Sequence, residues 1–315
     1  MDSFIIACNA VLPMFILICF GFYLSRVGWL SDHTQKQMTR LIYSFFIPAM
    51  VFYNIVSADL HAVIRPKMIL FIITAVVILW LVILLFTVLL EKDSRRRGAL
   101  VQGILRSNYT LFGMSLLINM FGADKVGLAS FTVAIVIPAY NTLSIITLES
   151  FRGGRAGGLT MLKNIALNPL IISCAISILI LLLSIDLPAV IDVTIESVAR
   201  IATPIALMIM GSTIRIGKTI ENKHRIITAV TMRLIAVPLF VLTAAILLGF
   251  RDIELAVLMS IFTAPTAIVA FPTAQQLCSD GELTAEIIVF STVFSCLTVF
   301  LWIFVLTTFG YISCP

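Results

Sequence analysis

The sequence predicts an all-α polytopic membrane protein of ten transmembrane helices, arranged as two inverted five-helix repeats with broken, crossing helices 4 and 9. Three observations lead there. The 315 residues are 60% hydrophobic and only 12% charged, with a mean hydropathy of +1.11, where a soluble domain carries about 25% charged residues. The apolar residues gather into stretches of membrane-spanning length. Two of these, Leu100 to Met120 and Ile253 to Leu277, are interrupted by polar or helix-breaking residues at matching places in the two halves.

Spans are expected at about 4–24, 36–57, 67–90, 98–120, 125–149, 162–184, 190–213, 225–249, 253–277 and 284–309, each near the roughly 20 residues that cross a bilayer. The first, Phe4 to Leu24, follows Asp2 with no basic segment before it. It reads as a retained helix, not a cleaved signal. The units are residues 1–150, a hinge loop at 151–161 and residues 162–315. The hinge holds the basic, Gly-rich stretch Arg152 to Gly158 and leaves no room for an inserted domain.

Charge sets the orientation. With the N-terminus outside, the inside loops hold Arg26, Lys36, Arg40, Lys92, Arg95, Arg96, Arg97, Arg152, Arg155, Lys163, Arg215, Lys218, Lys223 and Arg225. The outside loops hold only Arg65, Lys67, Lys125 and Arg251. This asymmetry places both termini outside a bacterial cytoplasmic membrane. It also explains the net charge of +5 without nucleic acid as a partner.

The halves carry similar marks. Phe46-Ile47-Pro48-Ala49-Met50 in span 2 is matched by Ala202-Thr203-Pro204-Ile205-Ala206 in span 7. An odd number of spans per half turns the second half over relative to the first.

Backbone leaving a helix inside lipid frees N–H and C=O groups, each costing several kcal/mol if unsatisfied. The first interruption carries Arg106, Ser107, Asn108, Tyr109, Thr110 and Gly113; the second carries Pro265, Thr266, Pro272 and Thr273. An inverted repeat brings them together, and each half-helix then starts inside the membrane with free N–H groups suited to a carboxylate. The alternative is a pair of kinked helices whose polar groups satisfy each other. Asn141, three residues after Pro138, either lines the same cavity or bonds between helices. Arg106 has three readings: contact with a substrate anion, snorkelling to the surface, or pairing with Glu149 or Glu286. Arg233 is expected to snorkel, and Arg200 to pair with Glu196 one turn earlier. The deep carboxylates that a coupling proton or cation would need are few, Glu196 and Glu286.

Catalytic and metal chemistry find no support. His33, His61 and His224 fall in loops, and the six cysteines are not at metal-ligand or disulfide spacing. No cofactor, metal or enzymatic activity is expected.

Several of these residues resemble the auxin efflux carrier family, which includes bacterial organic-acid carriers and the plant auxin exporters. Leu12-Pro13 to Trp29, with Ser31, resembles its first helix and loop, and Ile47-Pro48-Ala49-Met50-Val51-Phe52 its second-helix proline motif. Asn108 with Gly113, Asn168-Pro169, Thr203-Pro204 with Gly211, and Ala264-Pro265 resemble its fourth, sixth, seventh and ninth helices. Ser115 stands where the family often has proline. The resemblance implies a scaffold of helices 1, 2, 6 and 7, a moving domain of helices 3–5 and 8–10, transport of a small organic anion, and a homodimer in the bilayer. Taken together, the residues point to a secondary carrier of a small carboxylate, such as malonate or another dicarboxylate or an auxin-like acid, working by alternating access. The substrate-binding candidates are Arg106, Asn108, Tyr109, Thr110, Gly113, Asn141, Pro265 and Thr266. An anion channel or a membrane-embedded ligand sensor is the alternative.

Overall fold

A computed structural model describes residues 2–58, 65–122, 127–152, 158–214 and 216–313. Among them the regular structure is helical, apart from one isolated antiparallel bridge between Ser107 and Thr266. Helices α1 (Asp2–Arg26), α2 (Asp32–Val56), α3 (Pro66–Leu90) and α4 (Ser94–Leu105) lead to a first break. Helices α5 (Tyr109–Phe121) and α6 (Gly127–Phe151) complete the first half. The second half holds α7 (Gly158–Ala166), α8 (Pro169–Leu182), α9 (Ala189–Thr213), α10 (Ile216–Glu221), α11 (Lys223–Leu247) and α12 (Asp252–Thr263). A second break precedes α13 (Ala270–Gln276) and α14 (Gly281–Thr308).

Among the described residues six helices, α2, α3, α6, α9, α11 and α14, are long and apolar enough to cross a membrane, and seven if α7 and α8 count as one bent span. The expected spans at 98–120 and 253–277 are each two helices, α4 with α5 and α12 with α13, because the polar clusters interrupt them. The expected span at 162–184 is also not straight: α7 and α8 meet at 57°. Asn168 makes that corner. Its side-chain oxygen accepts from the Leu170 N–H at 3.0 Å and Pro169 occupies the first helical turn, so a new helix starts there. Of the expected hinge, residues 153–157 lie outside the described residues.

Two prolines reshape their helices in the same way. Pro48 and Pro238 each follow a five-residue π turn, Ile42–Phe46 in α2 and Met232–Ala236 in α11. A proline ring crowds the carbonyl four residues earlier and offers it no N–H; widening the preceding turn relieves the crowding. In α11 the orphaned carbonyl is that of Leu234, and the Trp302 indole N–H donates to it at 3.0 Å.

The buried apolar side chains form two clusters. One gathers residues of α3, α4, α5, α11, α12 and α14, such as Ile72, Leu117, Leu258 and Val299. The other gathers residues of α1, α2, α8 and α9, such as Ile18, Ile55, Leu170 and Met210, together with Ile145 and Leu148 of α6, Phe271 of α13 and Ile288 of α14. Helix α1 lies against α9, and α2 packs on both α8 and α9.

At the connection from α3 to α4, Glu91 accepts from the backbone N–H groups of Lys92 (3.0 Å) and Asp93 (3.1 Å) and pairs with Arg225 of α11. Burial pushes its carboxyl pKa up, but the Arg225 guanidinium and the two N–H groups outweigh burial and hold it below the ordinary carboxylate range. A depressed folded-state value stabilises the fold above the unfolded-state pKa and is lost as pH falls through the folded one. Glu91→Gln is therefore expected to lower the thermal midpoint at neutral pH, by about 1 kcal/mol of stability. The gap from wild type should narrow as the buffer is taken below the carboxylate range; a gap that is constant with pH contradicts the ionic role.

Candidate functional site

Helix α4 ends at Arg106, whose backbone is extended (φ −80°, ψ 114°), and α12 ends at Ala264 (φ −58°, ψ 147°). The two extended pieces lie antiparallel. The Asn108 N–H donates to the Pro265 carbonyl at 2.8 Å, and the Ala267 N–H donates to the Arg106 carbonyl at 3.0 Å. Each break thus supplies the backbone partners that the other lacks.

Side chains complete the crossing. Ser107 Oγ donates to the Ile261 carbonyl at 2.5 Å, and Thr266 Oγ1 to the Gly103 carbonyl at 2.6 Å. The Thr266 N–H donates to Ser291 Oγ of α14 at 3.1 Å. Arg233, fully buried, does the rest. Its Nε and one terminal nitrogen donate to the Ala264 carbonyl at 2.9 and 2.7 Å, and that nitrogen also reaches Ile261 at 3.2 Å. The other terminal nitrogen donates to the carbonyls of Ile104 (3.4 Å) and Leu105 (3.3 Å). With the Arg106 N–H on Gln102, all four terminal carbonyls of α4 have a donor. One guanidinium therefore sits at the negative ends of two helices. Arg233 does not snorkel; it closes the crossing.

Packing at the crossing is tight. A Cβ on Gly113 would lie 2.7 Å from the Ser260 carbonyl oxygen and 2.6 Å from the Tyr109 ring. Tyr109 itself is buried, its hydroxyl donating to the Ala129 carbonyl at 2.8 Å and lying 2.7 Å from Thr132 Oγ1.

Where the crossing faces α2 and α9 a small cavity remains, of about 60 Å³. That is room for a few waters or a small solute group. Arg106, Asn108, Thr110 and Asn141 line it, four of the eight sequence candidates. Tyr109, Gly113, Pro265 and Thr266 are not in its wall; they hold the crossing together. The second break contributes Ala267, Ile268 and Val269 instead, and the facing helices contribute Met50, Asn54 and Thr203. Sequence reasoning missed these three as site residues, although Met50 and Thr203 belong to the two matching proline motifs.

Arg106 is 4% exposed and is held by neutral groups. One terminal nitrogen donates to Asn141 Oδ1 and the other to Thr273 Oγ1 at 3.5 Å. Asn141 in turn donates to Cys174 Sγ of α8 at 3.6 Å, so it bonds between helices and lines the cavity as well. Neither carboxylate expected beside Arg106 is there. Glu149 pairs with Arg152 at 2.8 Å, and Glu286 accepts from Thr219 (2.7 Å) and Asn222 (3.0 Å). Arg200 does pair with Glu196, at 2.5 Å. Among the described wall residues Asn108 Nδ2 is buried without a protein partner, while the Tyr140 hydroxyl lies toward Arg233.

The sequence itself matches a known family. Residues 6–160 and 154–303 match a family model described as membrane transport protein, that of the auxin efflux carriers. The chain belongs to this family. An uncharacterized transporter of Methanocaldococcus jannaschii is similar to it, 22% identical over 301 residues that cover 93% of this chain and 97% of the relative. The protein is thus a multi-pass membrane transport protein, and the family's theme is transport, not catalysis.

The crossing gives a direct test of Arg233 in this auxin efflux carrier family member. Arg233→Met leaves buried carbonyls of both helices without a donor, at about 1–3 kcal/mol each, and should yield little folded protein in detergent. Arg233→Lys keeps the charge but not the fork that reaches both helix ends, and should fold with a lower thermal midpoint. A methionine variant as stable as wild type would show that the guanidinium does not hold the crossing.

Proposed function

We propose that the protein is a secondary carrier of a small organic anion, working by alternating access at the helix crossing. The observation that carries this reading is the wall of the central cavity. Asn108 Nδ2 is buried there with no protein partner, beside Arg106, which faces no carboxylate within ion-pair distance among the described residues. Buried donors normally have acceptors, so donors converging on a cavity mark the place of an acceptor the protein does not itself supply. A carboxylate fits: it has two acceptor oxygens and one charge for one arginine. The start of α5 adds its free N–H groups and the positive end of its dipole.

The same count favours a monoanion. One guanidinium in the wall compensates one charge, and a dicarboxylate such as malonate brings a second that the described wall does not match. Apolar wall residues, Met50, Val51, Leu111, Ile137 and Ile268, suit a short hydrocarbon body.

The mechanism we propose sets the crossing against α2 and α9. The cavity has Met50 of α2 and Thr203 of α9 on one side and Arg106 and Asn108 of the first break on the other. Helices α1, α2, α8 and α9 form the scaffold in this reading, and the remaining bundle carries the crossing past it. If α1 and each interrupted pair of helices count as one segment apiece, this reading has ten segments with the breaks in the fourth and ninth, as two inverted repeats of five would have. A homodimer in the bacterial cytoplasmic membrane, with both termini outside, completes the proposal. Glu196 and Glu286 are engaged elsewhere, so the anion's own charge in the membrane potential, about 2.3 kcal/mol per 100 mV, is the simplest driving force.

In proteoliposomes, uptake of a labelled monocarboxylate should saturate and should exceed that of the dicarboxylate of equal length. Asn108→Ala should cut flux at least tenfold with the thermal midpoint unchanged, and Arg106→Gln should raise the half-saturating concentration about tenfold, the equivalent of about 1.4 kcal/mol. Unchanged uptake by the Asn108 variant, or unitary conductance steps in place of saturable flux, would reject the carrier.

A further inference from the structure

Away from the crossing, a second hollow lies on the outer face of the bundle, between α11 and α14. It is a groove of about 430 Å³, much larger than the central cavity. Its floor is Ile226, Val230 and Leu234, buried at 5%, 8% and 1% exposure. Ile227 and Ile235 of α11 and Phe294 of α14 stand exposed along its edges, at 62%, 48% and 51%. The spacing explains the shape. Positions 223, 226, 227, 230, 231, 234 and 235 form one stripe of α11, and 290, 294 and 298 one stripe of α14. Facing stripes of this kind leave a furrow between the helices.

The furrow is apolar along its length and charged at one end. Lys223 opens it, exposed and without a carboxylate in ion-pair reach among the described residues. From Lys223 to Ile235 the stripe runs about 18 Å at the helical rise of 1.5 Å per residue. That is a little over half of the roughly 30 Å hydrocarbon core, the depth of one leaflet. Lys223 also belongs to the basic loops that the charge asymmetry places at the inner surface.

We propose that this groove is a binding site for an anionic phospholipid of the leaflet that Lys223 faces. One acyl chain lies along Ile226, Val230 and Leu234, and the phosphate meets the Lys223 ammonium. Length, apolar lining and Lys223, the single cation among the described lining residues, select this occupant over a helix of another protein, which would leave Lys223 unmatched. The site has a consequence for the carrier. Thr219, in the groove wall beside Lys223, belongs to α10 and donates to Glu286 of α14 at 2.7 Å. A lipid headgroup there rests on the linker that joins α9 to α11, so it braces the contact of α10 with α14.

The test uses the purified full chain in detergent. Phosphatidylglycerol should raise its thermal midpoint by several degrees, and phosphatidylcholine with the same acyl chains by less than half as much. Lys223→Gln should reduce the phosphatidylglycerol effect to the phosphatidylcholine level. Ile227→Trp, at an exposed edge position where folding is not at stake, should overhang the groove and weaken both effects. Glycerol 1-phosphate, a headgroup without a chain, should do nothing. Equal stabilisation by the two lipids, or a phosphatidylglycerol preference that survives Lys223→Gln, would overturn the proposal. So would a lipid-independent dimer that Ile227→Trp dissociates, since that would make the occupant a second copy. Asn108→Ala should keep the lipid response while losing flux, so a failure here is distinguishable from a failure of the carrier reading.

Discussion

Two hydrogen bonds between extended backbones, Asn108 N–H to Pro265 and Ala267 N–H to Arg106, are what allow this chain to stop two helices in its interior. In lipid an open backbone group costs several kcal/mol, so a break survives only if every freed donor and acceptor finds a partner. At the carbonyl end of α4 the chain meets that condition by placing the breaks face to face. Each relieves part of the other's deficit, and the two bridge residues themselves, Ser107 and Thr266, send their hydroxyls to a carbonyl of the opposite helix. The crossing is therefore one unit: neither half is stable without the other.

The unit is electrically polar. The carbonyl ends of α4 and α12 are covered by Arg233, brought to them by α11, whose course is set by Pro238 and the π turn before it. With the negative ends matched, the cavity side of the crossing keeps Arg106, the Asn108 amide and the start of α5. This arrangement separates two jobs that arginines often share. Arg233 neutralises main-chain dipoles deep in the packing, and Arg106 remains beside open space. Tightness on one side, where Gly113 has no room for a methyl group, and a small hollow on the other are two results of the same geometry.

Much of the cavity was legible in the sequence because membrane burial makes polar residues conspicuous. Arg106, Asn108, Thr110 and Asn141 stand out in apolar stretches, and all four line the hollow. Tyr109, Gly113, Pro265 and Thr266 stand out for the same reason, yet they serve the crossing itself. Composition cannot separate these two groups, since both consist of polar or helix-breaking residues in the same few turns. Arg233 was misjudged for a related reason. An arginine within a span signals an unusual need, but its partners here are main-chain carbonyls, which leave no trace in a sequence. Met50, Asn54 and Thr203 escaped because their helices are unbroken, and nothing local says which face meets the hollow.

Amino-acid order alone determined where the chain is apolar for the length of a bilayer, where basic loops alternate, and where two stretches cannot remain helical. Those properties depend on transfer energy and backbone geometry within a few turns, so they are written locally. The bend at Asn168-Pro169 was half written there: the cap was visible, the angle was not. Tertiary structure decided the rest, namely which freed carbonyl meets which donor, that one guanidinium serves two helices, and which polar side chains are left without partners. These are pairings between residues more than a hundred positions apart, chosen by packing in three dimensions.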